Sequence, residues 1–333
     1  MKLSIIIVNY RSWGYLQAAL DMLQPGFPKD WEIIVIDNES QPEPFDEYKE
    51  RYPWVTFIAN ASNSGFGFGC NLGAAQASGV NLLFMNPDVI AMSKNIRSLM
   101  RVKEQHPDVA LIAPRQVDRN GRPQKVIDDF PDLKNQSKIL KALLRIRQSS
   151  QHRTQHADQS FLTYCDWITG SCLLVSREDF DAIGGWSEDY WMYVEDVDLC
   201  RRADDMGMRV ACATNVQVVH AHGGSSRINV EVKAMTKLEV IISKHVYAHK
   251  HFWGARRRLM HILIAGLRLP LLTIAALLDL LTLRLVPALW VRGKMLAGLL
   301  KYYAGVWKSG SWLSPRAIAN RARPLGRAPT RPS

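Results

Sequence analysis

With 333 residues, 47% of them hydrophobic and 22% charged, the chain is long and apolar enough to bury a substantial core, as one elaborated domain or as two. Its five cysteines (Cys70, Cys165, Cys172, Cys200 and Cys212) are odd in number and form no CxxC pair, which reads as free thiols in a reducing compartment and argues against a disulfide framework or a cysteine zinc site. The net charge of +11 is uneven: from Arg227 onward 19 Lys and Arg face 3 Asp and Glu, against 23 and 28 before it, so an acidic body carries a basic tail fit for nucleic acid or an acidic membrane surface.

The opening MKLSIIIVNYRSW is too short for a signal peptide and reads as a first strand, which places the body in the cytoplasm. SWGYLQAALDML then has helical spacing, with Ser12 as its N-cap. WEIIVIDNES is a second buried strand and WVTFIAN a short third one. NSGFGFGCNLGAAQAS is a Gly-rich loop entering a small-residue helix, and VNLLFMNPDV is a fourth strand. This alternation predicts a parallel α/β sheet, whose ligands bind beyond the carboxyl ends of the strands. Each of these strands ends in polar groups: Asn9, Asp37, Asn60 to Asn63, and Asp88.

Further on, SKNIRSLMRVKEQHP is an amphipathic helix closed by Pro107, and VALIAPRQVD followed by NGRPQ is a strand and a turn. Residues 128–160 are polar apart from a basic helical patch, KILKALLRIR. The stretch from Asp166 to Gly207 reads as a strand, a helix beginning at Ser176, a Gly184-Gly185 turn, an aromatic loop and an acidic helix. MRVACATNVQVVHAHGGSS closes the body with a strand and a loop. Residues 259–290 are strongly apolar but broken by Arg268, Asp279, Arg284, Pro270 and Pro287. The longest charge-free stretch there, Leu269 to Leu278, is ten residues, half of the roughly 20 a spanning helix needs. The expectation is an in-plane amphipathic helix pair flanked by ARRR and VRGK, with a kinked re-entrant segment as the competing reading.

Four motifs carry possible chemistry. Asn86-Pro87-Asp88 sets a carboxylate just past a buried strand, where it can anchor Mg2+ or Mn2+ on phosphate oxygens, or where a Pro-Asp turn merely closes the strand. Glu195, Asp196 and Asp198 fall in a first helical turn, where acids complement the helix dipole, and Asp198 can pair with Arg202 on the solvent face. Glu195 and Asp196, however, directly follow the aromatic run YWMYV, where a partly desolvated carboxylate can act as a general base. His220 and His222 follow a strand, as loop residues or as metal ligands. Gly65, Gly67 and Gly69 form a GxGxG loop without the Lys-Ser/Thr of a P-loop, placed after the third strand rather than the first.

In their order, SIIIVNY, EIIVIDNES, NSGFGFGCNLGAAQA, FMNPDV, the run from Trp167 to Arg202, and VVHAHGG resemble the inverting GT-A glycosyltransferases of family 2, in a bacterial rhamnosyltransferase-like branch, over residues 3 to about 226. The resemblance implies a GT-A, Rossmann-like α/β fold: residues 1–90 the nucleotide-sugar half, 91–226 the acceptor and catalytic half, and 227–333 a basic amphipathic helical extension that associates with the membrane. It implies that Asn9, Tyr10, Asp37 and Asn38 line the nucleotide pocket, with Asp37 accepting from the base, and that Asn63, Gly65, Gly67 and Asn71 shape the loop beside it. Asn86 and Asp88 stand for the DxD motif, with Asn in place of its first Asp. Asp88 holds Mg2+ or Mn2+ with His220, or less readily His222, and Asp196 of the Glu195-Asp196 pair is the base. Trp167, Trp186, Trp191 and Tyr193 become candidates for the acceptor wall, or for core packing.

The implied partners are a nucleotide-diphosphate sugar, best dTDP-rhamnose, a glycan or polyprenyl-diphosphate-linked acceptor, and the inner face of the bacterial plasma membrane, reached by the tail. Nucleic acid fits less well, because the basic residues are interleaved with aliphatic runs. A UDP-hexose or UDP-galactofuranose donor, or an inactive membrane-docked nucleotide-sugar binder, are the alternatives. A sugar nucleotidyltransferase is discounted, since NYRSWGYL follows the first strand where a Gly-rich, Arg-containing loop belongs.

Overall fold

The computed structural model describes residues 2–39, 42–135, 161–221, 229–283 and 285–321. The basic patch KILKALLRIR and His222 lie outside the described residues. The chain divides into two compact units, one of Met1–Phe130, Phe161–Glu188 and Glu195–Ser225, the other of Pro131–Ser160, Asp189–Val194 and Ser226–Ser333.

The first unit is built on strands β1 (Leu3–Asn9), β2 (Trp31–Asn38), β3 (Thr56–Asn60), β4 (Asn81–Met85), β5 (Val89–Ile90), β6 (Val109–Val117), β7 (Ile127–Asp128), β8 (Leu162–Tyr164), β9 (Trp167–Ile168), β10 (Cys172–Ser176) and β11 (Arg209–His220). Its helices are α1 (Trp13–Leu23), α2 (Pro42–Arg51), α3 (Phe66–Gln76), α4 (Ser93–Gln105), α5 (Arg177–Ile183) and α6 (Glu195–Asp205). Among the described residues nine strands form one sheet in the order β3-β2-β1-β4-β10-β6-β11-β5, with β8 also paired to β11, while β7 and β9 make a separate ribbon. The first four strands are parallel, as the alternation predicts. The sheet as a whole is mixed: β10 runs antiparallel to both β4 and β6, and β5 and β8 run antiparallel to β11.

The unbroken apolar run of β1 follows from burial on two faces. Leu3, Ile5 and Ile7 pack with Leu16 and Leu20 of α1 and Ile96 and Leu99 of α4. Ile6 and Val8 face the other way, with Cys70 and Ala74 of α3, Phe180 of α5 and Leu199 of α6. The glycines of the GxGxG stretch lie largely inside α3. A Cβ on Gly69 would stand 2.8 Å from Val8 Cγ1, and one on Gly73 would stand 2.5 Å from Ile6 Cγ2, so this stripe lets α3 close directly onto β1. Helix starts differ in chemistry. Ser176 Oγ accepts from Asp179 N (3.0 Å), a true N-cap. Ser12 stands at the start of α1, but its hydroxyl donates to Tyr10 O (3.0 Å), and only its carbonyl, accepting from Tyr15 and Leu16 N, opens the helix.

The second unit contains α7 (Val230–His251), α8 (Gly254–Leu281), α9 (Pro287–Ser309) and the short α10 (Ile318–Arg321). Asn229 caps α7 by accepting from Val232 N (2.8 Å). Pro270 and Arg268 do not break α8, which runs through both for 28 residues and is long and apolar enough to cross a membrane by length and composition. Its Met260, Ile264, Leu272 and Ala275 are buried, whereas Ile262, Leu271, Ile274, Leu277 and Leu281 are more than half exposed. The buried positions recur at helical spacing, but the exposed face is aliphatic as well, so over this stretch the helix is apolar on both sides rather than amphipathic.

A histidine pair fills the core of this unit. His245 of α7 and His261 of α8 meet Nδ1 to Nδ1 at 2.8 Å, His245 Nε2 meets Tyr303 Oη at 2.9 Å, and His261 stacks on Trp312 with ring centroids 3.7 Å apart. Burial first, and positive neighbours second, push His245 down to about 3 and His261 down to about 4. The unfolded chain therefore binds more protons than the folded one once the pH falls below about 6.5. Stability is fully present above that value and is lost as the pH falls towards 4, by up to about 2.7 kcal/mol per pH unit for two protons. Urea midpoints measured between pH 7.5 and 5 should fall, and less steeply in H261Q; a flat midpoint in the parent chain would show that the pair is already charged when folded.

Candidate active site

The mixed sheet gathers its polar groups at one edge. The carboxyl ends of β1, β2 and β4 lie there because these strands are parallel. β10 is antiparallel, with Cys172 opposite Met85, so it contributes its entry, Thr169 to Ser171. β6 and β11 run parallel to each other and contribute their exits, Gln116 and His220.

At this edge Asp88 Oδ1 stands 3.2 Å from His220 Nε2, with 13% and 8% of the two side chains exposed. The pairing of β11 with β5 sets His220 opposite Val89, and Ala221 N donates to Asp88 O (2.9 Å), so backbone bonds fix the approach. On its other side His220 Nδ1 lies 2.8 Å from Gln116 Oε1, whose Nε2 donates to Ser171 Oγ (2.8 Å). With that amide orientation Nδ1 carries a proton, and Nε2, with or without a second proton, faces the Asp88 carboxylate. Two electron-rich groups this close call for a cation, either a proton or a metal ion. An Asp oxygen and an imidazole suit a divalent ion that keeps positions for phosphate and water. Among the described residues no group of three or more His, Cys, Asp or Glu side chains gathers as a cage.

Glu195 and Asp196 open α6, and the structure separates them. Glu195 is buried, 6% exposed. Asp196 is half-buried, with Oδ2 accepting from Gly170 N (3.1 Å) and Oδ1 from Val197 N (2.9 Å). Burial raises its carboxyl above the usual aspartate value, although these amide donors oppose the shift. Gly170 has to be glycine here: a Cβ would meet Trp186 at 2.9 Å and Asp196 Cβ at 3.3 Å. Two residues just after Ile168 thus serve both halves of the edge. Gly170 holds Asp196, while Ser171 holds Gln116 and accepts from Asn86 N (2.8 Å) through its carbonyl. Sequence reading missed Gln116, Gly170 and Ser171; the Thr-Gly-Ser entering an apolar strand was the available signal.

The nucleotide-side residues divide into groups that line the edge and groups that build it. Asn9 Nδ2 donates to Asp37 Oδ1 (3.0 Å), two buried side chains joined across β1 and β2. Half-buried Tyr10 lies under the Arg11 guanidinium at 5.2 Å. Asn38 is 2% exposed, and its amide is taken up by the loop beside it. Its amide donates to Asn63 Oδ1 and Gly65 O, both at 3.1 Å, and accepts from Asn60 Nδ2 and Ser64 N. Asn63 also accepts from Gly65 N, and Gly65, at φ +95°, starts α3. Gly67 lies within α3 and gives close packing, since a Cβ there would meet Ser187 O at 3.1 Å. Asn71 is likewise structural: it donates to Trp186 O and Glu188 Oε1 and accepts from Trp186 N.

Two of the proposed acceptor aromatics lie in the first unit and two in the second. Trp186 is 2% exposed and packs edge-on against Phe66 and Phe84, a core residue. Half-buried Trp167 donates from Nε1 to Asp129 O (3.0 Å). Trp191 and Tyr193 belong to the second unit, where Trp191 is 4% exposed and Tyr193 half-buried. Asp198 does pair with Arg202, at 2.8 Å, but inside rather than on the solvent face: Asp198 is fully buried, and Arg202 also donates to Ile183 O and Gly185 O.

Comparison with known proteins gives this arrangement a class. The fold is that of the GT-A glycosyltransferases: it matches the mannosyltransferase PcManGT from Pyrobaculum calidifontis, solved with GDP-Man and Mn2+, at a TM-score of 0.52 and 15% identity over 90% of this chain and 86% of that one. It also matches GalNAc-T7, solved with UDP, GalNAc and Mn2+, at a TM-score of 0.52 and 15% identity over 76% of this chain and 52% of that one. The family model for glycosyl transferase family 2 matches residues 4–183, and the chain belongs to that family. A model for the N-terminal domain of galactosyltransferase matches residues 157–222. The low-salt glycan biosynthesis hexosyltransferase Agl10 of Haloferax volcanii is 26% identical over 227 residues, 66% of each chain. The N-acetylglucosaminyl-diphospho-decaprenol L-rhamnosyltransferase of Mycobacterium tuberculosis is 26% identical over 66% of this chain and 75% of its own length. Rhamnosyltransferase WbbL of Escherichia coli is 26% identical over 65% and 82%.

If Gln116 orients His220 for a metal, Gln116→Leu should weaken Mn2+ binding in the presence of a nucleoside diphosphate by about 10- to 100-fold. Titration calorimetry would read this, and unchanged affinity would reduce Gln116 to packing.

Proposed function

We propose that this chain moves a sugar, with rhamnose from dTDP-rhamnose the first candidate, onto a polyprenyl-diphosphate-linked or glycan acceptor in cell-surface polysaccharide synthesis, inverting the anomeric centre. The observation that carries the reading is the Asp88–His220 pair at 3.2 Å, on the sheet edge where β1 and β2 end in the joined Asn9 and Asp37. Relatives named as rhamnosyltransferases, one of them acting on a diphospho-decaprenol acceptor, support the choice of donor and acceptor class.

Asp88 and His220 would hold Mg2+ or Mn2+, which when bound offsets the charge gathering on a leaving diphosphate. Gln116 keeps His220 in the tautomer that can ligate. Asp196, fixed by the Gly170 and Val197 amides, takes the proton of an acceptor hydroxyl. That oxygen bonds to the anomeric carbon as the bond from carbon to phosphate oxygen breaks, and the electron pair leaves on the nucleoside diphosphate. One carboxylate base suffices for this direct displacement.

The test is a donor screen with and without Mn2+, read as thermal shift, slow donor hydrolysis and transfer to a lipid-linked acceptor. One donor should stabilise the chain only with metal. Asp88→Ala should abolish that response, and Asp196→Asn should keep nucleotide affinity while turnover falls about 100-fold or more. Since Asp196 works ionised and its carboxyl is raised by burial, turnover should fall on the acid side at a pH above the ordinary aspartate value of about 3.9. Retained turnover in Asp196→Asn would sink the assignment of the base.

We also propose that the tail lies on an anionic membrane surface at the cytoplasmic face. The support is the exposed stripe of α8, the Arg256 to Arg258 run at its start, and the exposed Trp253 and Trp307. The full chain should sediment with phosphatidylglycerol vesicles, less so at high salt, and the double variant L271D/I274D should stay in solution. Equal behaviour of variant and parent would refute the docking face.

A further inference from the structure

The six residues Asp189–Val194 precede the catalytic pair in sequence, yet they belong to the unit formed by the C-terminal helices. Specific contacts tie the segment there. Lys250 Nζ of α7 pairs with Asp189 Oδ2 at 2.9 Å and stands 5.3 Å from the ring centre of Tyr190, which is 1% exposed. Ser243 Oγ, one helical face along, donates to Met192 O at 2.9 Å. Between them Arg316 stands over the buried Trp191 ring at 5.5 Å and pairs with the buried Glu239 of α7 at 3.2 Å. Four consecutive residues are thus held by groups of the tail, through a lysine, a serine and an arginine.

The chain leaving this segment takes an uncommon backbone path. Tyr193 and Val194 take φ of +70° and +69°, a region in which a β-branched residue is an outlier held by its surroundings. Glu195 is next, and then Asp196, whose carboxylate the Gly170 amide holds. Three residues separate the carbonyl that Ser243 holds from the carboxylate that Gly170 holds.

We propose that α7 is a positioning element for the transfer step: Ser243 and Lys250, with Arg316, fix the 189–194 segment from which Glu195 and Asp196 continue, so that the C-terminal helices set the placement of the base. This rests on the reading of Asp196 as the base. It gives the tail a role inside the reaction besides any role at a surface. The three are positioning residues, each acting through the segment it holds.

The test compares the full-length parent with S243A, K250M, their double variant, and K250R as the conservative control. Hydrogen–deuterium exchange across 189–196, donor affinity, and acceptor kcat and KM are read together. In the double variant exchange should rise in that segment, kcat should fall about 10- to 100-fold, and donor affinity should stay within about twofold, because misplacing a catalytic group costs rate rather than nucleotide binding. K250R should recover much of the loss. Unchanged exchange, or faster exchange with kcat intact, would overturn the proposal, and so would a parallel loss of donor affinity and thermal stability, which marks simple unfolding. A parent chain that transfers no sugar at all fails the functional reading instead, and the exchange data then still decide whether Ser243 and Lys250 hold the segment.

Discussion

Strand direction is the constraint on which the site depends. Parallel β1, β2 and β4 send their polar ends to one edge of the sheet. The antiparallel β10, placed between β4 and β6, sends its beginning there instead. Were β10 parallel, Gly170 and Ser171 would sit at the far edge, Asp196 would lose the amide that holds it, and Gln116 would lose its serine. Reversal of this one strand also brings β6 and β11 back into the direction of β4, so that Gln116 and His220 finish where Asp88 begins.

From that geometry the electrostatics follow. Several buried polar groups at the edge find partners, and these form a chain: Asp88 to His220, His220 to Gln116, Gln116 to Ser171. The chain ends in a residue covalently joined to Gly170, the donor to Asp196. The Asp88–His220 pair and Asp196, the proposed base, are therefore set by neighbouring residues of one short connection, although 108 positions separate Asp88 from Asp196 in the sequence.

Much of this was legible in the sequence because burial writes a period into residue order. The four leading strands, α3, α4, the Ser176 cap and the acidic α6 all carry local signals, namely apolar runs, a capping serine and first-turn acids. Asp88 and His220 stood out as polar groups ending apolar strands. The hidden part was long-range. Asn38 and Asn71 look like ligands in sequence, but their amides are consumed by loops that only the fold brings near. Gln116 and Ser171 look ordinary, since neither type announces its partner 55 positions away. Trp186 and Trp191 read as sugar platforms because an aromatic side chain does not say whether its face will be covered. The direction of β10 left no mark on its own residues, which suit either sense.

The closeness of α3 to β1 carries a consequence for how this sequence can change. At Gly73 the nearest atom to a new methyl is the Ile6 side chain, and at Gly69 it is Val8. Neither glycine can accept even the smallest replacement while its facing residue keeps its size. Space on one side of the interface exists only if it is given up on the other, so the two members of each pair share one volume between them. Departures at these sites must come as linked exchanges, a larger residue on the helix with a smaller one on the strand. The strand in question ends in Asn9, so every such exchange would be made within three residues of the polar edge it supports.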